Sequence, residues 1–132
     1  MPGKPFVYES RVRFGDTDAS GRIFYASMFR HFEAAEMEFL RTRGCAYEGT
    51  LTQERGFPRV HAECDFVYPL KFDDLMAISV SVEKLGRTSY TLAFEASVDG
   101  RAASRGKLTI VCVDRNTGRP VPLPEKMRAA LA

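Results

Sequence analysis

The chain has 132 residues, of which 45% are hydrophobic and 27% charged, so it is long enough for one domain with a core and too apolar for a disordered protein. Its formal net charge of +2 at pH 7 is too small to indicate nucleic acid or a membrane surface as the partner. Three cysteines without paired spacing, an N-terminus unlike a signal peptide and no apolar segment of about 18 residues favour a cytoplasmic protein. No linker divides the sequence, and we expect residues 1–132 to form a single domain.

The first predicted elements are a strand and a long helix. Apolar and polar residues alternate over Phe6–Phe14, which predicts a half-buried strand, and turn-forming residues follow over Asp16–Gly21. Over Tyr25–Arg43 the period changes to that of a helix, with one apolar stripe made by Met28, Phe32, Ala35 and Phe39. Gly44 is a typical stop for this helix.

Four more strands are predicted after a loop over Cys45–Pro58. Their alternating apolar residues are Val60, Ala62, Cys64, Phe66 and Tyr68; Met76, Ile78, Val80 and Val82; Tyr90, Leu92, Phe94, Ala96 and Val98; and Leu108, Ile110 and Cys112. Short turns, such as the hairpin signal Asp99-Gly100, imply an antiparallel sheet with one buried face. The long helix must cover that face, which predicts an α+β fold of two layers.

The segment most suited to chemistry is the turn that leads into the helix. It contains Asp16, Asp18 and Gly21, and it continues through Phe24 into Tyr25. Free N–H groups at the start of a helix carry partial positive charge and stabilise anions or developing oxyanions. A carboxylate beside them could act as a nucleophile or a base. A capped turn without any function has a similar composition, so spacing alone leaves both interpretations open.

The same segment resembles the signature of the 4-hydroxybenzoyl-CoA thioesterase family of hotdog proteins. The resemblance is carried by 13–25 (RFGDTDASGRIFY) and 29–33 (FRHFE), and it extends to 66–70, 73–74, 86–90 and 122–124. It implies the hotdog fold, in which a five-stranded antiparallel sheet wraps a long central helix. It also implies hydrolysis of an acyl- or aroyl-CoA without a metal or redox cofactor, by a homodimer that often pairs into a homotetramer.

The resemblance assigns roles to individual residues. Asp18 corresponds to the catalytic carboxylate, which either attacks the thioester or activates water, and the Tyr25 N–H polarises the thioester carbonyl. Asp16 is expected to serve structure. Positions implied in substrate or CoA binding are Gly21, Phe24, Ser27, Tyr47, Phe57, Lys84 and Arg87. Among these, Ser27 stands where many family members have Asn, Tyr47 and Phe57 belong to a loop that closes over the acyl group, and Lys84 and Arg87 would meet the CoA phosphates.

Other interpretations concern the function and several residues outside the turn. A non-catalytic acyl-CoA-binding protein and a thioesterase that acts on acyl carrier protein remain open. We expect His31 to be an ordinary helix residue and Cys64 and Cys112 to lie in the core. Glu33 and Glu36 are expected to face solvent or another subunit, although some related lineages place a catalytic glutamate on this helix. Strand aromatics on the buried face would argue against an RNA-binding sheet.

Overall fold

The order of elements is strand, helix, strands and a short second helix. The computed structural model describes residues 5–46 and 54–132. Its elements are β1 (Phe6–Arg11), α1 (Met28–Thr42), β2 (Arg55–Gly56), β3 (Arg59–Phe66), β4 (Leu75–Leu85), β5 (Ser89–Val98), β6 (Arg101–Val111), β7 (Val113–Asp114) and α2 (Glu125–Leu131). No helix in these ranges is long and apolar enough to cross a membrane.

The long strands form one antiparallel sheet in the order β1-β4-β5-β6-β3, and β2 pairs with β7 beside it. Asp99 (φ 51°) and Gly100 (φ 78°) both adopt left-handed conformations between β5 and β6, as a two-residue hairpin turn requires. β1 and β3 are the two edges. The predicted α+β architecture, a long helix on a five-stranded antiparallel sheet, is confirmed.

Helix α1 packs its apolar stripe onto the inner face of the sheet. Met28, Phe32 and Ala35 are fully buried and Phe39 is nearly so, which confirms the predicted stripe. The Phe32 ring stacks on Phe94 of β5 with centroids 4.7 Å apart. Each such buried side chain stabilises the fold by about 1.5–3 kcal/mol. The predicted inward residues of β4, β5 and β6 lie on the same core.

The predicted boundaries differ from the structure at both ends of the turn before α1. β1 stops at Arg11, and Phe14 opens a 3₁₀ turn (Phe14–Asp16) in which its own side chain is 79% exposed. A second 3₁₀ turn, Tyr25–Ser27, precedes α1. The prediction that Phe14 belongs to the buried side of the strand is therefore wrong, because the chain leaves the sheet three residues earlier.

The predicted burial of one face of β3 is also wrong for the single chain. Val60 is 60% exposed, and Phe66 and Tyr68 are about half exposed. The reason is the position of β3 at the sheet edge, because α1 covers the central strands and leaves most of β3 uncovered. α2 was not predicted; it starts after Pro124 and buries Met127 and Leu131.

A glycine allows α1 to approach β6 closely, and this contact provides a test of the packing. A Cβ at Gly106 would lie against the Phe32 ring and 2.8 Å from the Glu63 carbonyl oxygen. Gly106→Ala is therefore expected to lower the free energy of unfolding by about 1–3 kcal/mol through overpacking. Urea denaturation measures it. Gly15→Ala is the control, since a Cβ at Gly15 meets open space; equal effects of the two substitutions would contradict the packing described.

Candidate active site

The turn before α1 is a small hairpin closed by main-chain hydrogen bonds. Thr17 and Ile23 form an isolated β-bridge, and the Asp18 N–H donates to the Arg22 carbonyl at 3.0 Å. The Gly21 N–H donates to the Asp18 carbonyl at 2.9 Å, with Gly21 in the left-handed region (φ 80°). Asp18 thus lies on one arm of the hairpin, and the other arm leads directly to Tyr25.

The Asp18 carboxylate is exposed, and only one of its two oxygens accepts hydrogen bonds from the described residues. Its Oδ1 accepts hydrogen bonds from the Ser20 hydroxyl at 2.5 Å and the Ser20 N–H at 2.9 Å. Its Oδ2 accepts none from the residues that the structure describes. The hydroxyl and N–H of Ser20 stabilise the charged form and hold the pKa of Asp18 below its usual range. Asp18 is therefore ionised at neutral pH and has one oxygen available for chemistry.

Asp16 is buried, and its Oδ2 contacts two hydrogen-bonding groups. Its Oδ2 accepts the Arg13 N–H at 2.8 Å and lies 2.9 Å from Nε2 of His31. Burial by itself raises the pKa of Asp16, but the Arg13 N–H, His31 and the charge of Arg30 outweigh it and leave the pKa below its usual range. The Asp16 carbonyl also accepts the Phe24 N–H at 2.7 Å. This placement agrees with the expected structural role of Asp16.

His31 has a role that the sequence does not reveal. It is buried on α1, and its Nδ1 lies 2.6 Å from Oγ of Ser10 on β1. Its partners are 21 and 15 residues away in the chain, so no local spacing signals the contact. His31 lies on α1 as expected, and the structure shows in addition that it joins α1 both to β1 and to the turn.

The start of the helix offers a free donor beside a cleft. Tyr25 is the first residue of its 3₁₀ turn, where N–H groups lack an internal acceptor, and its N–H has no acceptor among the described residues. The Tyr25 ring is 68% exposed and packs on Phe24 at 4.9 Å between centroids. A mostly apolar cleft of about 320 Å³ opens here. Its lining is Arg22, Ile23, Tyr25, Phe66, Val67, Tyr68 and Pro69.

A second cleft continues from the first and carries positive charge. Its volume is about 500 Å³, it shares Arg22, Tyr68 and Pro69 with the apolar cleft, and it adds Lys71 and Arg101 together with two carboxylates. The Arg101 guanidinium stacks over the Tyr68 ring at 4.4 Å. An elongated ligand with an apolar and an anionic part would therefore match this pair of clefts.

The other predicted binding residues are distributed over the molecule. Gly21 and Phe24 lie in the turn itself. Ser27 is buried, and its hydroxyl has no partner among the described residues. Phe57 is buried in the core, and Tyr47 lies outside the described residues.

Lys84 and Arg87 are not brought to the turn within one chain. They lie at the β4–β5 end of the sheet, whereas the turn lies at the opposite end, where β1 finishes beside Leu75 at the start of β4. β4 has 11 residues, so the two ends are separated by about 33 Å at ~3.3 Å per residue.

Glu36 and Cys64 differ from expectation. Glu36 is fully buried, and both its carboxylate oxygens accept hydrogen bonds at 2.7 Å from Arg59 at the start of β3. The expectation that Glu36 faces solvent or another subunit is therefore wrong, whereas Cys112 is buried as expected. Cys64 is only partly buried, with Sγ 3.0 Å from Oγ of Ser104. No group of three or more potential metal ligands occurs in the described ranges.

Comparisons with known proteins identify the family of the chain. Residues 12–131 match the model of the thioesterase-like superfamily. The chain is 29% identical to acyl-CoA thioesterase YbgC of Haemophilus influenzae over 95% of this chain and 93% of that protein. It is 32% identical to a 1,4-dihydroxy-2-naphthoyl-CoA hydrolase of Synechococcus over 86% of this chain and 91% of that protein. The structure of a gentisyl-coenzyme A thioesterase superposes with a TM-score of 0.87 at 33% identity, covering 96% of this chain and 100% of that one.

The hotdog fold and the family match over residues 12–131 define the class of protein as a thioesterase. The chain belongs to the thioesterase-like superfamily. It is a thioester hydrolase of the acyl-CoA type.

The buried carboxylate of Asp16 gives a prediction for stability against pH. Asp16→Asn is expected to lower the free energy of unfolding at pH 7 by about 1–3 kcal/mol, because it weakens the hydrogen bonds of a buried group. The folded pKa of Asp16 is below its unfolded value, so the stabilisation is complete above about pH 5 and is lost as the pH falls through the lowered pKa. Urea unfolding of both proteins between pH 7 and 3 measures the difference, which should shrink toward acid; a constant difference would contradict the assignment.

Proposed function

We propose that the chain hydrolyses an acyl- or aroyl-CoA to the free acid and CoA, with Asp18 as the catalytic carboxylate and the Tyr25 N–H as the carbonyl donor. The observation that carries this proposal is the pairing of an ionised carboxylate, with one oxygen free, and an unpaired N–H on the two arms of one hairpin. An N–H that has no other acceptor can stabilise the oxyanion that forms when a thioester is attacked.

The same placement supports two chemical routes. In the first, the free Asp18 oxygen attacks the thioester carbonyl, the C–S bond breaks with release of CoA thiolate, and water then cleaves the resulting anhydride. In the second, Asp18 takes a proton from a water that attacks the carbonyl directly, and the tetrahedral intermediate expels the thiolate. Both routes require the charged carboxylate and both place the oxyanion against the Tyr25 N–H.

The lining of the smaller cleft suits an aromatic acyl group. Tyr25, Phe66 and Tyr68 offer rings to the smaller cleft, and relatives are named for 1,4-dihydroxy-2-naphthoyl-CoA and gentisyl-coenzyme A. The resemblance to 4-hydroxybenzoyl-CoA thioesterases points the same way. We therefore propose an aroyl-CoA as the preferred substrate and the cytoplasm as the place where it is used. We also propose that residues 1–132 form a single domain, which the family match over residues 12–131 supports.

A second copy of the chain is the partner that this site needs. β3 is an unpaired edge with exposed apolar side chains, and exposed strand edges pair readily. A two-fold axis perpendicular to the sheet would join two β3 edges antiparallel and keep both helices on one face. The β4–β5 end of one sheet then comes beside the turn of the other, so Lys84 and Arg87 would reach the site across the dimer. We propose a homodimer that pairs into a homotetramer.

Asp18→Asn tests the catalytic assignment. We expect kcat to fall at least about 100-fold, since the substitution removes the essential charge with little change of shape. Release of free thiol is measured over a panel that includes 4-hydroxybenzoyl-, gentisyl- and 1,4-dihydroxy-2-naphthoyl-CoA, medium-chain acyl-CoAs and an acyl carrier protein thioester.

Asp73→Asn is the matched control, because Asp73 is also exposed and its φ of 76° suits asparagine. Wild-type turnover by Asp18→Asn would refute the assignment. Binding of every acyl-CoA without turnover would favour a non-catalytic binding protein, and preference for the protein-linked thioester would favour the carrier-protein alternative.

Val60→Asp tests the proposed dimer. A charge on the β3 edge should shift the protein toward monomers and lower turnover at least tenfold, because an unpaired charge is costly in an apolar interface. Sedimentation velocity and thiol release measure both effects. Val7→Asp on the opposite edge strand is the control, as Val7 is similarly exposed (51% against 60%). A fully active wild-type monomer would refute the shared site.

A further inference from the structure

A chain of largely buried hydrogen bonds leads to the turn that carries the proposed catalytic groups. It runs from Ser10 on β1 to His31 on α1 at 2.6 Å and from His31 to Asp16 in the turn at 2.9 Å. His31 and Asp16 are both buried. We propose that His31 is a positioning residue for thioester hydrolysis, acting through Asp16; this inference rests on the proposed roles of Asp18 and Tyr25.

The hydrogen-bond roles within this chain follow from elementary chemistry. An ionised carboxylate only accepts, so Nε2 of His31 carries the proton that is donated to Asp16. In the neutral ring Nδ1 is then an acceptor, and the Ser10 hydroxyl donates to it. If Nδ1 is protonated, it donates to the Ser10 hydroxyl oxygen instead, so the contact with Ser10 and the donation from Nε2 to Asp16 exist in both cases.

Asp16 transmits this constraint to both reacting groups. Its carboxylate holds the Arg13 N–H at 2.8 Å and its carbonyl holds the Phe24 N–H at 2.7 Å. Asp18 follows two residues after Asp16, and Tyr25 follows Phe24 directly. Through Asp16, His31 therefore anchors both arms of the hairpin. One arm carries Asp18, and the other leads to Tyr25.

The anchor joins the turn to two regular elements of the fold. The turn lies outside the five-stranded sheet and α1, whereas Ser10 is held in the sheet opposite Met76 of β4 and His31 lies within α1. Because displacement of a catalytic group by about 1 Å can cost on the order of 100-fold in rate, loss of the anchor should reduce kcat. Substrate affinity should change little, since the side chains that line the clefts are untouched.

Three substitutions separate positioning from other roles. His31→Phe keeps a ring of similar size but removes both hydrogen bonds, and we expect kcat to fall by about 10- to 100-fold with KM changed less than about threefold. His31→Gln can still donate to Asp16 and should restore kcat to within about fivefold of wild type. Ser10→Ala leaves the bond to Asp16 intact and should lower kcat by no more than about fivefold.

The controls address stability and the proposed function separately. Ile78→Val truncates a buried residue of β4 that is outside this chain of bonds, so it measures the effect of lower stability alone. Thiol release from the best aroyl-CoA and thermal unfolding are recorded for every variant, with Asp18→Asn in parallel. If His31→Phe does not fold, His31→Gln and Ser10→Ala still test the prediction.

Each result has a definite meaning. The positioning role would be overturned by a wild-type kcat in folded His31→Phe or by failure of His31→Gln to restore activity. Loss of turnover in Asp18→Asn, measured in parallel, would still uphold the proposed function. A loss in Ser10→Ala as large as that in Asp18→Asn would also overturn the positioning role, because this variant keeps the bond from His31 to Asp16 through which the positioning is proposed to act. Full turnover by Asp18→Asn would instead refute the proposed function itself.

Discussion

The turn before the helix depends on one buried carboxylate. Asp16 accepts the Arg13 N–H and pairs with His31, and a carboxylate removed from water is tolerated only when such partners are present. The same residue receives the Phe24 N–H through its carbonyl. The turn therefore keeps its shape because a polar group inside the protein must be satisfied, and the exposed carboxylate of Asp18 is presented by that shape.

The two aspartates of the turn illustrate how environment separates roles. Both have a lowered pKa, but Asp16 is buried and surrounded by donors, whereas Asp18 is exposed and engages Ser20 with one oxygen. A buried carboxylate that is paired with groups of the protein can support structure and is poorly accessible to a substrate. An exposed carboxylate with one free oxygen, such as that of Asp18, can react once a substrate or a second chain excludes water from it. The proposed dimer would supply this exclusion of water.

The incomplete cover of the sheet has a consequence for the site. One helix buries the inner faces of β4, β5 and β6, but it leaves β3 with both faces open. The ion pair between Glu36 and Arg59 ties α1 to the start of β3, and breaking it would leave an uncompensated buried charge. β3 is thus held in place by a specific polar contact, and its open edge and apolar side chains remain available beside the cleft.

The sequence determined the layers and the position of the site. The spacing of apolar residues along the chain is a local property, with a period of 3.6 residues in a helix and two in a strand. The stripe through Phe32 therefore predicted the helix correctly, and the alternation through Tyr90 predicted the sheet. The family signature located the turn with Asp16 and Asp18. Only the tertiary structure decided that His31 joins Ser10 to Asp16, that Glu36 pairs with Arg59 inside the protein, and that Lys84 and Arg87 lie far from the turn. These contacts join residues more than ten positions apart, and their energy comes from a geometry that no local pattern encodes.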